Sequence, residues 1–169
     1  LSVLYSFPHQ RFEGKRRVGW SSFLHVAGGM LYVLNGYLLF HTWDARGLYI
    51  GLYFGLAITA GHLAQEVQDH AGDDANRIST AAVRFGPRAA FLASTLVFSL
   101  AHVLMVWLAH AGWVAAPARG LLVFWLLQLG AAWYCLRRGL GFEQVRRYRR
   151  CYQILFGLVA LTLCGGALR

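Results

Sequence analysis

Five stretches of this chain carry no charged side chain. Residues 18–43, 47–65, 89–118, 120–136 and 151–168 lack Asp, Glu, Lys and Arg altogether. A helix needs about 20 apolar residues to cross the hydrocarbon core of a bilayer. All five runs are near or above that length, with 120–136 the shortest. Buried helices of a soluble domain would show polar faces that these runs do not have. Composition points the same way: 57% of the 169 residues are hydrophobic, which is high for a soluble domain. No strand pattern, low-complexity tract or short repeat stands out. The expected fold class is therefore all-α, a polytopic transmembrane helix bundle with five spans. The helices are expected at roughly 18–41, 47–66, 89–111, 120–136 and 151–168. A polar loop, 67–88, and an Arg-rich loop, 137–150, would join them. Gly51 and Gly55 have the spacing that lets helices approach closely, and packing is the reading preferred for them.

The net charge is +9, but its distribution argues against nucleic acid as a partner. Five spans put successive loops on alternating sides. Thirteen of the sixteen Lys and Arg residues then fall on one side, leaving Arg46, Arg119 and Arg169 on the other. This asymmetry is the positive-inside signature. It assigns the crowded side to the cytoplasm and the protein to the cytoplasmic (inner) membrane. The basic residues meet the lipid bilayer and its anionic headgroups before any other partner. Cys135, Cys151 and Cys164 show no metal-ligand spacing and lie in or beside apolar runs, so packing is their expected role.

The acidic residues are the concentrated feature. Of seven carboxylates, four (Glu66, Asp69, Asp73 and Asp74) fall within nine residues at the end of the second run. Glu66, Asp69 and Asp73 are spaced i, i+3, i+7, so they share one face if the helix continues. His62 and Gln65 lie one turn earlier. Crowded anions repel one another unless a cation binds. Mg²⁺ takes one or two carboxylates and completes its shell with phosphate oxygens and water. Such a cluster beside Arg77, Arg84 and Arg88 suits a Mg²⁺–diphosphate, whose oxygens arginines can grip. The competing reading is a solvated loop whose Asp residues cap helices. His25, His62 and His102 lie in apolar segments and are read as packing residues as readily as site groups.

The stretch Gln65-Glu66-Val67-Gln68-Asp69-His70-Ala71-Gly72-Asp73-Asp74, continuing to Thr80 and Val83-Arg84-Phe85-Gly86, resembles the second aspartate motif of the UbiA family of membrane prenyltransferases. The core Asp-x-x-x-Asp of that motif falls on Asp69 and Asp73, and Glu66 stands where members often have Asp. Tyr5-Ser6-Phe7-Pro8, followed by Arg11, resembles a second family loop. There His9 replaces a Pro, and Glu13 stands at a Lys position that Lys15 or Arg16 would have to supply. The resemblance covers most of residues 4–90.

The resemblance implies a bundle of about nine helices, of which this chain holds the fifth to ninth. It implies Mg²⁺-assisted transfer of a prenyl group from an isoprenyl diphosphate to an unidentified acceptor. Glu66, Asp69 and Asp73 would bind metal, Asp69 and Asp73 being catalytic. Tyr5, Arg11, Lys15, Arg77 and Arg84 would bind substrate, with Trp20 and Tyr37 as aromatics near the site. Residues 1–169 are expected to be one membrane domain, the C-terminal portion of a longer transferase and inactive alone. The family's earlier Asn-and-Asp motif does not occur in this sequence. The alternative is a non-catalytic or transport-type helix bundle whose acidic loop binds a cation. A transporter would more naturally break its helices and place charge at mid-membrane, whereas these carboxylates sit at a helix end.

Overall fold

The computed structural model describes residues 19–114 and 118–167, and within them every regular element is an α-helix. They are α1 (Trp20–Tyr37), α2 (Ala45–Ala75), α3 (Ala81–Phe85), α4 (Pro87–His110), α5 (Ala118–Arg138) and α6 (Phe142–Ala167). Among the described residues three helices are long and apolar enough to cross a membrane: α2, α4 and Gly120–Arg138 of α5. Five spans were expected. The first helix has only 18 residues, and Ser21, Ser22, His25 and Asn35 dilute its apolar character. The last carries Arg146, Arg147, Arg149 and Arg150 in its opening turns, and its charge-free run 151–168 extends beyond the described residues.

α2 is the central element and packs against α1, α3, α4 and α6. Its crossing with α1 depends on small residues. A Cβ on Gly29 would lie 2.8 Å from the Gly55 Cα, and one on Gly55 would lie 2.5 Å from the Val26 carbonyl oxygen. Backbone contact at this crossing therefore requires glycine on both helices. Deeper in the bundle, Tyr53, Phe98, Met105, Leu108, Tyr152 and Val159 form one buried cluster. Leu63, Val67, Phe91, Ala132, Val145 and Tyr148 form a second one. Leu96, Leu100 and Leu126 on α4 and α5 are turned outward, as a lipid-facing surface requires.

Two expected loops are largely helical. α2 runs through the acidic cluster to Ala75, because nothing between Glu66 and Ala75 breaks a helix more strongly than the single Gly72. It stops at Asn76 and Arg77. Arg77 adopts φ 55°, while Ile78 N–H donates to Asp73 O and Arg77 N–H to Asp74 O. This pair of bonds around a left-handed residue is the Schellman termination. The Arg-rich segment is likewise helical from Phe142 onward, and only 139–141 turns. Val145, Tyr148, Tyr152, Leu155 and Val159 are all buried. Their 3–4 spacing makes one continuous apolar stripe, and the arginines between them had masked it. At Gly86, with φ 86°, the chain turns from α3 into Pro87 at the first position of α4, where a missing N–H costs nothing.

Candidate active site

The last four turns of α2 place His62, Glu66, Asp69 and Asp73 on one face, at steps of four, three and four residues. These side chains line a cavity of about 220 Å³, together with Gln65 of α2, Ser21 and His25 of α1 and Thr80 before α3. Asp69 and Asp73 also border a larger cavity of about 590 Å³ that reaches toward Pro87 and the 140–142 turn. The two carboxylates thus stand between two spaces at one end of the bundle. α1 runs antiparallel to α2, which is why residues 21 and 25 meet residues 62 to 73.

Glu66 is held by the protein itself. Its Oε2 accepts a hydrogen bond from Ala81 N–H at 2.8 Å, and its Oε1 lies 3.0 Å from His62 Nε2. The first contact ties the start of α3 to α2, and Thr80 adds a side-chain cap by accepting from Val83 N–H. Glu66 therefore positions the 76–80 connection, an arrangement that could not be read from its place in an acidic run. His62 Nε2 also lies 2.9 Å from Ser21 Oγ. Its ring stacks on His25 at 3.7 Å between centroids, and His25 Nδ1 donates to the Ser21 carbonyl at 2.8 Å. The histidines form a polar wall joining α1 to α2.

Arg77 and Arg84 are exposed, and neither lines the carboxylate cavity. Arg84 lies over the Phe85 ring at 5.4 Å. Tyr5, Arg11 and Lys15 lie outside the described residues. Trp20 adjoins Ser21 at the acidic end. Tyr37 does not: its hydroxyl donates to both oxygens of Asp44, at the far end of α2. The sequence leaves the orientation of this span open and so allows Tyr37 near the site, and the antiparallel pairing of α1 with α2 sends it away. Ser21 carries no functional signal of its own in the sequence, whereas Thr80 belongs to the stretch that resembles the aspartate motif. His62 did carry one, its i, i+4 spacing to Glu66.

The donor set fits Mg²⁺. Among the described residues no three His, Cys, Asp or Glu side chains converge tightly enough to hold a metal by themselves. Two carboxylates one helical turn apart on a cavity wall match a hard ion that keeps waters and shares phosphate oxygens.

The model of the UbiA prenyltransferase family matches residues 1–164. The chain belongs to the UbiA prenyltransferase family. Among curated proteins and among solved structures nothing matches significantly. UbiA membership makes this an integral membrane protein of a prenyltransferase family that handles isoprenoid substrates. The three membrane-length helices agree with that setting.

Proposed function

We propose that this protein transfers a prenyl group from an isoprenyl diphosphate to an acceptor within the membrane, with Mg²⁺ bound at Asp69 and Asp73. The observation that carries the reading is the shared cavity wall: Asp69 and Asp73, with Glu66 one turn before them, at the polar end of a membrane helix. Bound there, Mg²⁺ supplies the positive charge that a departing diphosphate needs. Asp69 and Asp73 orient the ion and are themselves oriented by the rigid helix that carries them. Glu66 fixes the start of α3 through Ala81 N–H, which holds Arg77 of the 76–80 connection and Arg84 of α3 close to the same end. Those arginines reach phosphate oxygens from the rim. The acidic end faces the cytoplasm, where the basic residues of 77–88 and 137–150 gather.

The test is transfer by the full natural protein in membranes, using a labelled isoprenyl diphosphate. Asp69→Asn and Asp73→Asn are each expected to lower the rate by about 100-fold or more, with expression and helix content unchanged. A wild-type rate in either variant removes that residue from the site.

A further inference from the structure

The outer faces of α5 and α6 are layered in the same order. Along α5 the exposed residues run from Leu126 and Leu127 to Trp133 and Tyr134, and then to Arg137 and Arg138. Each arginine lies one turn beyond its aromatic neighbour, on the same side of the helix. The Arg137 guanidinium stands over the Trp133 ring at 4.6 Å from its centroid, and Arg138 stands over Tyr134 at 5.5 Å. Both distances are within cation–π reach. Along α6, Arg147, Arg150, Ile154, Leu158 and Leu161 are exposed and follow at steps of three, four, four and three residues. That spacing keeps them on one face. The two helices pack together and are joined by the turn at 139–141, so their arginines meet at one end.

The charge at this end is not balanced within the protein. Six arginines lie between 137 and 150, against the single acid Glu143. Glu143 pairs with Arg146 at 3.2 Å. Arg149 donates to Gln68 Oε1 at 2.8 Å and to Gln65 Oε1 at 3.2 Å. Arg137, Arg138, Arg147 and Arg150 are exposed and make no ion pair among the described residues. Helix electrostatics account for part of this only. The negative pole of α5 favours cations in its last turn, but α6 carries its arginines near its positive pole. At the other end of the bundle Tyr49, Trp107 and Trp113 pack on one another, and among the described residues no arginine is stacked on them.

We infer that the outer face of α5 and α6 is a binding surface for an anionic phospholipid. Arg137 and Arg138 hold the phosphate headgroup, Trp133 and Tyr134 lie at the glycerol level, and Leu126, Leu127 and Ile154 meet the acyl chains. The layers match a lipid from head to tail, and the unbalanced arginines match a headgroup of net negative charge. A ring beneath each guanidinium fixes its plane and leaves its N–H groups for phosphate oxygens. This surface is separate from the carboxylate cavity and does not depend on what binds there.

The experiment uses the full natural protein in nanodiscs of equal parts phosphatidylcholine and phosphatidylglycerol. Mass spectrometry after mild detergent extraction counts the lipids that stay bound. Wild type is expected to retain phosphatidylglycerol about tenfold over phosphatidylcholine, as two interfacial arginines imply. Arg137→Gln with Arg138→Gln should bring that ratio to near one. Arg137→Lys with Arg138→Lys should keep most of it, because the charge remains. Trp133→Leu with Tyr134→Leu should lower it about threefold, through the lost cation–π contacts. Arg46→Gln, at the other end of the bundle, should leave it unchanged. Equal retention of the two lipids by wild type overturns the inference, as does a preference that survives the Gln pair. A Lys pair that loses the preference as fully as the Gln pair shows that charge is not what is read, and overturns it too. No change in the Leu pair overturns the stacked geometry on which the surface rests. An equal loss in Arg46→Gln makes the preference a property of the whole protein's charge and removes the site. Displacement of the retained lipid by an excess of glycerol 3-phosphate reveals a simple anion site and removes the lipid assignment.

Discussion

The two ends of α2 both carry carboxylates, under opposite electrostatics. At the N-terminus Asp44 caps the helix: its Oδ1 accepts from Gly47 N–H at 2.8 Å, and Tyr37 OH donates to both of its oxygens. An anion there is favoured by the helix dipole and satisfies free N–H groups. At the C-terminus Asp69, Asp73 and Asp74 crowd the negative pole, and the last turn holds no basic residue. That placement opposes the dipole and sets like charges one turn apart. The first carboxylate is explained by what it does for the fold. At the other end, Asp69 and Asp73 border two cavities. The rest of each end follows the same division. Beyond Asp44, Tyr49, Trp107 and Trp113 pack with ring centroids 5.6 Å apart, as aromatic residues do at a membrane interface. The acidic end instead gathers Ser, Thr, His and amide groups.

The comparison is broken most directly by ligand. Mg²⁺ with pyrophosphate should raise the melting temperature of wild type and of Asp44→Asn alike. It should leave Asp69→Asn unmoved, since a ligand stabilises only the state that binds it. A shift in Asp69→Asn equal to that of wild type would show that the acidic end does not bind the pair.

The next effect is on Glu66, a carboxylate at the acidic end whose partners are structural. Glu66→Ala strands the buried Ala81 N–H and is expected to cost about 1–3 kcal/mol. Hydrogen exchange at Ala81 should quicken in step. An unchanged melting curve would mean the contact with α3 contributes nothing. Asp74 is exposed in the last turn and lines neither cavity. Asp74→Asn should therefore raise stability, by about 0.3–1 kcal/mol at low salt, and leave transfer intact.

Asp44 gives the smallest effect, with the opposite sign. The Gly47 N–H, and after it the Tyr37 hydroxyl, holds its carboxyl below the ordinary carboxylate range. The folded form thus binds its proton less readily than the unfolded chain. Its contribution is present above the unfolded pKa and is lost as pH falls through the folded one, below about pH 4. A pH titration of melting temperature should show that loss in wild type, and Asp44→Asn should flatten it.

Much of this was legible in the chain itself. Charge-free runs of membrane length specify helices, because lipid offers the backbone no other partner. The spacing of Glu66, Asp69 and Asp73 puts them on one face whenever the helix continues, and the motif around them is the family's. Where the helices end was less legible. Polar residues from 67 to 75 and arginines from 146 to 150 look like loops to a hydropathy count. They are helical because α2 meets no breaker before Asn76, and because α6 buries a stripe from Val145 to Val159. Apart from the close approach that the Gly51 and Gly55 spacing announces, contacts between helices were not legible. That Glu66 reaches Ala81, that His62 stacks on His25, and that Arg149 rests on Gln65 and Gln68 depend on how α1, α3 and α6 pack around α2. Local sequence determines what each helix can present. The close approach at Gly29 and Gly55, and the stripe on α6, decide which of those groups meet.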